Sequence, residues 1–322
     1  MKNKNLTIEL IKFLAVLIVA NGHMDILYGK YNLLATGGAI GDALFFFVSG
    51  FAIFLGRFDR FDNWYKRRIK RIYPSLIAWA GILSFCDVLQ LNLYQIVSGG
   101  FYWFLKCIML YYVVLYMVRL FAEKKPIIPF MLSILSVFVW YLFEDSSKMF
   151  MYGNTYFKWI YCFLFMLLGA YVGNKSIMLV SRPTIDAILL IFSVLSFYAI
   201  QFFAVKSEIV AHLQIVSLIP LMGVVIYIYK LSCTEKCNRI MKSNAGFSLQ
   251  FIAGLCLEAY IVQVTLIPYL SNYISSLFPL SLLIMFIIII IAAYITRSIG
   301  NFISQVFEKD SFDWKSIFAL IK

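Results

Sequence analysis

Charge is what this sequence has little of. Of 322 residues, 14% are charged while 62% are hydrophobic, whereas a soluble domain carries about a quarter charged. That shortage, with a mean hydropathy of +0.86, excludes a soluble enzyme and a chain with one membrane anchor. Histidine is also scarce. His23 and His212 are too few to build a metal site unaided, and the six cysteines are scattered, with no pair at the spacing of a zinc site. No bound metal is therefore expected. Strictly alternating polar and apolar stretches are lacking, which argues against a β-barrel. No linker or low-complexity tract interrupts the chain.

What remains is a series of apolar stretches of about 20 residues, the length a helix needs to cross a bilayer. Ten spans are expected, at roughly 8–28, 36–56, 73–92, 102–121, 127–143, 157–173, 184–204, 212–231, 247–268 and 278–300. The expected fold is all-α: a polytopic integral membrane protein of about ten transmembrane helices. Residues 1–300 form the membrane domain, and 301–322 a short, surface-lying or loosely ordered cytosolic tail. The first stretch follows Lys2 and Lys4 as a signal peptide would. It is long, lacks a small-x-small cleavage site and carries His23 and Asp25, so it reads as a retained helix.

Orientation follows from the bias of lysine and arginine toward cytoplasmic loops. With the N-terminus in the cytosol, 22 cations fall on inner segments and four (Lys30, Lys148, Lys158, Lys206) on outer ones. An odd number of spans would destroy this alternation, so both termini are expected inside. The net charge of +12 is then mostly topology, and nucleic acid is not an expected partner.

Against this apolar background the ionisable residues stand out. Lys12 and His23 are eleven positions apart in the first span. On an α-helix that offset is three turns plus about 20°, and about 16 Å along the axis. Ionisable groups so placed should face a protein interior or a water-filled path. Imidazole is the usual general base at neutral pH, although a packing hydrogen bond would also explain His23. Lys12 has Glu9 one turn earlier, and an ion pair or snorkelling would satisfy it.

Asp42 opens the second span within GDALFFFVSGF, at a depth comparable to His23. A carboxylate there can orient an imidazole or cap a helix. Ser49-Gly50 in the same block permits close helix packing. The cytosolic stretch FDRFDNWYKRRIKRIYP carries seven cations between Arg57 and Arg71. On a helix, Arg68 and Arg71 share a face and can chelate a phosphate; topology or anionic lipid would also account for a basic loop. Trp103 and Lys106 open the fourth span, where Trp103 suits an aromatic belt. Glu258 sits mid-span in the ninth, with Gln263 five residues on, and should line the protein interior.

Four blocks in this order resemble the membrane-bound acyltransferase-3 family, which includes O-acetyltransferases of bacterial surface polysaccharides. They are Glu9-x-x-Lys12 through Gly22-His23; Gly41-Asp42 with Phe45 to Phe51; the basic run with Arg68, Arg71 and Pro74; and Trp103 to Leu105. They cover residues 9–105 closely. One departure is Tyr260-Ile261-Val262-Gln263, where the family often ends in histidine. The resemblance implies a multi-pass protein of the bacterial cytoplasmic membrane that takes an acyl group, acetyl by default, from cytosolic acyl-CoA. It implies a glycan or glycolipid hydroxyl as acceptor. His23 and Asp42 would be catalytic, Lys12, Arg68 and Arg71 would bind the cofactor, and Trp103 would line the substrate pocket, which Glu258, by its mid-span depth, is expected to share. A glycan or lipid transporter, and a non-catalytic partner in polysaccharide assembly, are the alternatives.

Overall fold

The computed structural model describes residues 5–86, 88, 102–144, 151–153, 156–175, 181–307 and 312–319. Lys2, Lys4, Lys148, Lys309 and Lys322, counted above, lie outside these, as does the end of the third expected span at 89–92. Among the described residues there is no strand. The helices are α1 (Leu6–His23), α2 (Asp25–Tyr28), α3 (Gly38–Phe54), α4 (Phe61–Phe85), α5 (Trp103–Ala122), α6 (Ile127–Phe143) and α7 (Phe157–Lys175). They continue with α8 (Pro183–Lys206), α9 (Glu208–His212), α10 (Leu218–Ser232), α11 (Glu235–Met241), α12 (Asn244–Gly254), α13 (Cys256–Ile274), α14 (Leu280–Val306) and α15 (Trp314–Ile317).

A helix or a broken helix stands at each of the ten expected spans. Among the described residues, six are long and apolar enough to cross a membrane alone, and eight if each of two bent pairs is one span. One bent pair is α12 with α13 and its extension to Leu277, which turn by 65° at Leu255. Of the other two positions, α6 is apolar but has 17 residues, and α4 carries the basic run in its first half. The fold is thus all-α and multi-pass.

Packing shows the inversion expected of a protein in lipid, with apolar side chains outward and polar ones inward. On α14, Leu283, Ile287, Ile291 and Ile295 recur every fourth residue and are 47–57% exposed. Ser281, Met285, Ile289, Ala293, Thr296 and Gly300 form the buried stripe. The spacing of four makes each set one face of the helix.

The chain divides into two compact units. The first comprises Met1–Ala15, Ala39–Arg57 and Val114–Gly246; the second comprises Val16–Gly38, Phe58–Val113 and Phe247–Lys322. In the first, α8 packs on α10 and α6 on α7. Helices α3 and α7 cross with their backbones touching: a Cβ on Gly50 would stand 1.8 Å from the Met166 carbonyl oxygen, and one on Gly169 1.9 Å from that of Phe47. Only glycine tolerates that approach, so the Ser49-Gly50 dipeptide does serve close packing. In the second unit α4 packs on α14 and α13, α13 on α14, and the short α2 on α13.

Two expectations change. The basic stretch is not a loop: α4 starts at Phe61 and runs unbroken through Pro74 to Phe85. Nor is the tail loose from residue 301, because α14 continues to Val306. Asn301 donates to the Ile317 carbonyl at 2.9 Å, and Gln305 donates to Ser316 Oγ at 2.6 Å, which ties α15 back onto α14.

Candidate functional site

His23 is the last residue of α1 and is exposed. The two residues before it fix its surroundings. Asn21 Nδ2 donates to the carbonyls of Leu34 at 3.0 Å and Thr36 at 2.9 Å, and Asn21 Oδ1 accepts from the Tyr28 hydroxyl at 2.6 Å. A Cβ on Gly22 would stand 3.1 Å from the Gly38 backbone nitrogen. The segment that follows His23 is therefore pinned to the last turn of α1, and the imidazole has a set neighbourhood at an accessible helix end. Further along, Tyr28 and Tyr31 pack on Phe278, with ring centres 5.7 Å apart in both pairs.

The basic run is now the first half of α4. Arg60 donates to Asp62 at 2.7 Å, and that hydrogen bond holds the Asp62 carboxyl well below the usual carboxylate range. Arg67 is paired with Asp59. These two cations are neutralised locally. Arg68 and Arg71 are one turn apart on α4, as a phosphate-binding pair requires. They are not equivalent: the Arg68 guanidinium lies 4.9 Å from the centre of the Trp64 ring and 5.8 Å from that of Tyr112, whereas Arg71 is exposed. Aromatic faces position Arg68 through cation–π attraction; Arg71 projects from the helix.

Glu258 is fully buried, as expected of a mid-span carboxylate, and two partners missed in the sequence hold it. Ser75 Oγ donates to its Oε1 at 2.7 Å, and Arg297 donates to the same oxygen at 2.8 Å. Arg297 was counted among the cytosolic cations. It is instead a residue of α14 with a side chain only 14% exposed. A Cβ on Gly300 would meet the Ser75 backbone at 3.0 Å, so the absent side chain lets α14 close on α4 and brings Arg297 into reach. The available signal was that Arg297 lies three residues inside the end of the tenth span. One turn of α4 beyond Ser75, Trp79 Nε1 donates to Thr265 Oγ1 at 3.0 Å. Tyr260, from the departing Tyr-Ile-Val-Gln stretch, packs against Phe104 at 4.7 Å, and Gln263 is buried. Trp103, the first residue of α5, is half-buried and meets Phe104 edge-on.

His23, Arg68, Arg71, Trp103 and Glu258 thus belong to one compact unit; Lys12 and Asp42 belong to the other. Lys12 is bonded to Glu9 at 2.7 Å, the ion pair that the i,i+3 spacing suggested. Asp42 is buried inside α3 rather than at its cap, and its carboxylate meets Lys158 of α7 at 3.1 Å. A lysine counted as an outer-loop cation is therefore its counter-ion. Among the described residues no group of three or more His, Cys, Asp and Glu is placed to hold a metal ion.

A family model described as an acyltransferase domain matches residues 5–297, taking in His23, Arg68, Arg71, Glu258 and Arg297. No curated protein and no solved structure matches the chain. A match over all but the first few and the last twenty-five residues, on a polytopic helical fold, makes this chain a member of the acyltransferase-3 family and a membrane acyltransferase.

Proposed function

We propose that the protein moves an acyl group, acetyl by default, from cytosolic acyl-CoA to a hydroxyl of a cell-surface or exported glycan, in the bacterial cytoplasmic membrane. The observation that carries this reading is that His23, Arg68, Arg71 and Glu258 all fall in the same compact unit. Donor phosphates dock at the basic end of α4, where arginine supplies paired hydrogen-bond donors. His23, accessible at the end of α1, accepts the acceptor's hydroxyl proton as the oxygen attacks the thioester carbonyl. The carbon–sulfur bond then breaks, and the leaving thiolate takes the proton from the imidazolium.

Replacing His23 with alanine is expected to abolish transfer of labelled acetate from acetyl-CoA to membrane glycan while leaving membrane insertion unchanged. Normal transfer by that variant refutes the base role. A transporter reading draws on one observation, the 65° break between α12 and α13, because discontinuous spans line substrate sites in transporters. Acyl-CoA-dependent labelling by the protein alone separates the two, since a transporter needs no acyl donor.

A further inference from the structure

The cluster of Ser75, Glu258 and Arg297 is more than an ion pair that neutralises two buried charges. Glu258 Oε1 accepts twice, while its Oε2 is buried without a hydrogen-bond partner; Arg297 Nε is likewise buried without one. A buried acceptor or donor left unmade is costly, and more so on a charged group. An apolar pair of similar volume would avoid that cost. What remains unsatisfied is one acceptor and one donor on a single ion pair, the complement of an amide: its N–H can donate to Oε2, and its carbonyl can accept from Nε–H.

The position of the cluster says which amide. Arg68, Arg71, Ser75 and Trp79 fall at i, i+3, i+7 and i+11 of α4, one face of the helix. Ser75 is four residues above Arg71, about 6 Å along the axis. Along this face the order is a guanidinium pair, then a polar station in an apolar span, then the Trp79–Thr265 hydrogen bond. Helix α13 breaks from α12 at Leu255, so Glu258 stands in its first turn. An acyl-CoA has the matching order. Beyond its phosphates come a hydroxyl and two amides, and the thioester is last.

We propose that Ser75, Glu258 and Arg297 are a binding subsite for the amide-bearing arm of the acyl donor, one helical turn beyond the arginines that hold its phosphates. This inference rests on the acyl-CoA reading given above. It places the arm along the face of α4 that carries Arg68, Arg71 and Ser75, rather than at Lys12, which the resemblance assigned to the cofactor.

The test measures binding to the full-length protein in lipid nanodiscs by calorimetry, with two probes: coenzyme A, which has phosphates and arm, and adenosine 3′,5′-bisphosphate, which has no arm. Glu258→Gln is expected to weaken coenzyme A about tenfold and to leave the bisphosphate unchanged; Ser75→Ala, which removes one hydroxyl and keeps the ion pair, shows the same selectivity with a smaller loss. Arg71→Ala weakens both probes. Should Glu258→Gln fail to fold, Ser75→Ala carries the test alone. Equal weakening of both probes by the cluster variants, or no weakening of either, overturns the subsite while the donor reading stands. Wild-type protein that binds neither probe overturns both.

Discussion

Lys12 and Asp42 look, by residue type and block position, like parts of the reaction, yet each has a close counter-ion in its own compact unit. Lys12 meets Glu9 at 2.7 Å, with Glu9 only 9% exposed at its side chain. Asp42 meets Lys158 at 3.1 Å, both largely buried. Removing one member of a buried pair strands the other charge, at roughly 3–5 kcal/mol, whereas removing both together is far milder. Lys12→Met is accordingly expected to impair the protein, and Glu9→Gln with Lys12→Met to recover most of the lost stability and activity. Thermal unfolding in detergent, alongside transfer assays, reads both. A double variant as inactive as the single one, yet stable, gives Lys12 a direct role with the donor.

At the scale of elements, the crossings of α3 with α7 and of α14 with α4 both depend on a missing side chain. Where α3 meets α7, the contact is backbone on backbone at Gly50 and Gly169. Overpacking a core side chain costs about 1–3 kcal/mol; here no flexible side chain can yield. Gly50→Ala and Gly169→Ala are each expected to fall at or above the top of that range. Melting temperature in detergent is the measurement, and a variant that melts like wild type would show that the crossing is looser than described.

These elements also show what was legible in the sequence. The apolar runs marked the spans, and i,i+3 arithmetic put Arg68 beside Arg71 and Lys12 beside Glu9. The helical start of α4 was hidden because seven cations in fifteen residues read as a loop, although Trp64 and Ile72 are buried on one side. The Ser75–Glu258–Arg297 cluster was hidden for a different reason. Its members lie far apart in sequence, and only Gly300, itself inconspicuous, tells that α14 approaches α4 there. Composition locates a buried charge, but its partner depends on helix–helix contact, which no local pattern records.

For the whole molecule, three ion pairs revise the charge count that set orientation. Arg297, Lys230 and Lys158 sit in helices beside Glu258, Asp186 and Asp42, so 22 inner cations less two and 4 outer cations less one leave 20 against 3. The bias survives because it is carried by loops and helix ends near the interface, where lysine and arginine govern topology. It makes a definite statement about two exposed thiols, Cys86 just after α4 and Cys233 just after α10. From a cytosolic N-terminus, α4 ends outside and α10 ends inside. In variants keeping one of these cysteines alone, a membrane-impermeant maleimide added to intact spheroplasts is expected to label Cys86 and to reach Cys233 only after permeabilisation. Labelling of both before permeabilisation would break the alternation on which the orientation rests. Labelling of Cys233 alone would invert it, placing the arginines of α4 outside and away from any cytosolic acyl donor.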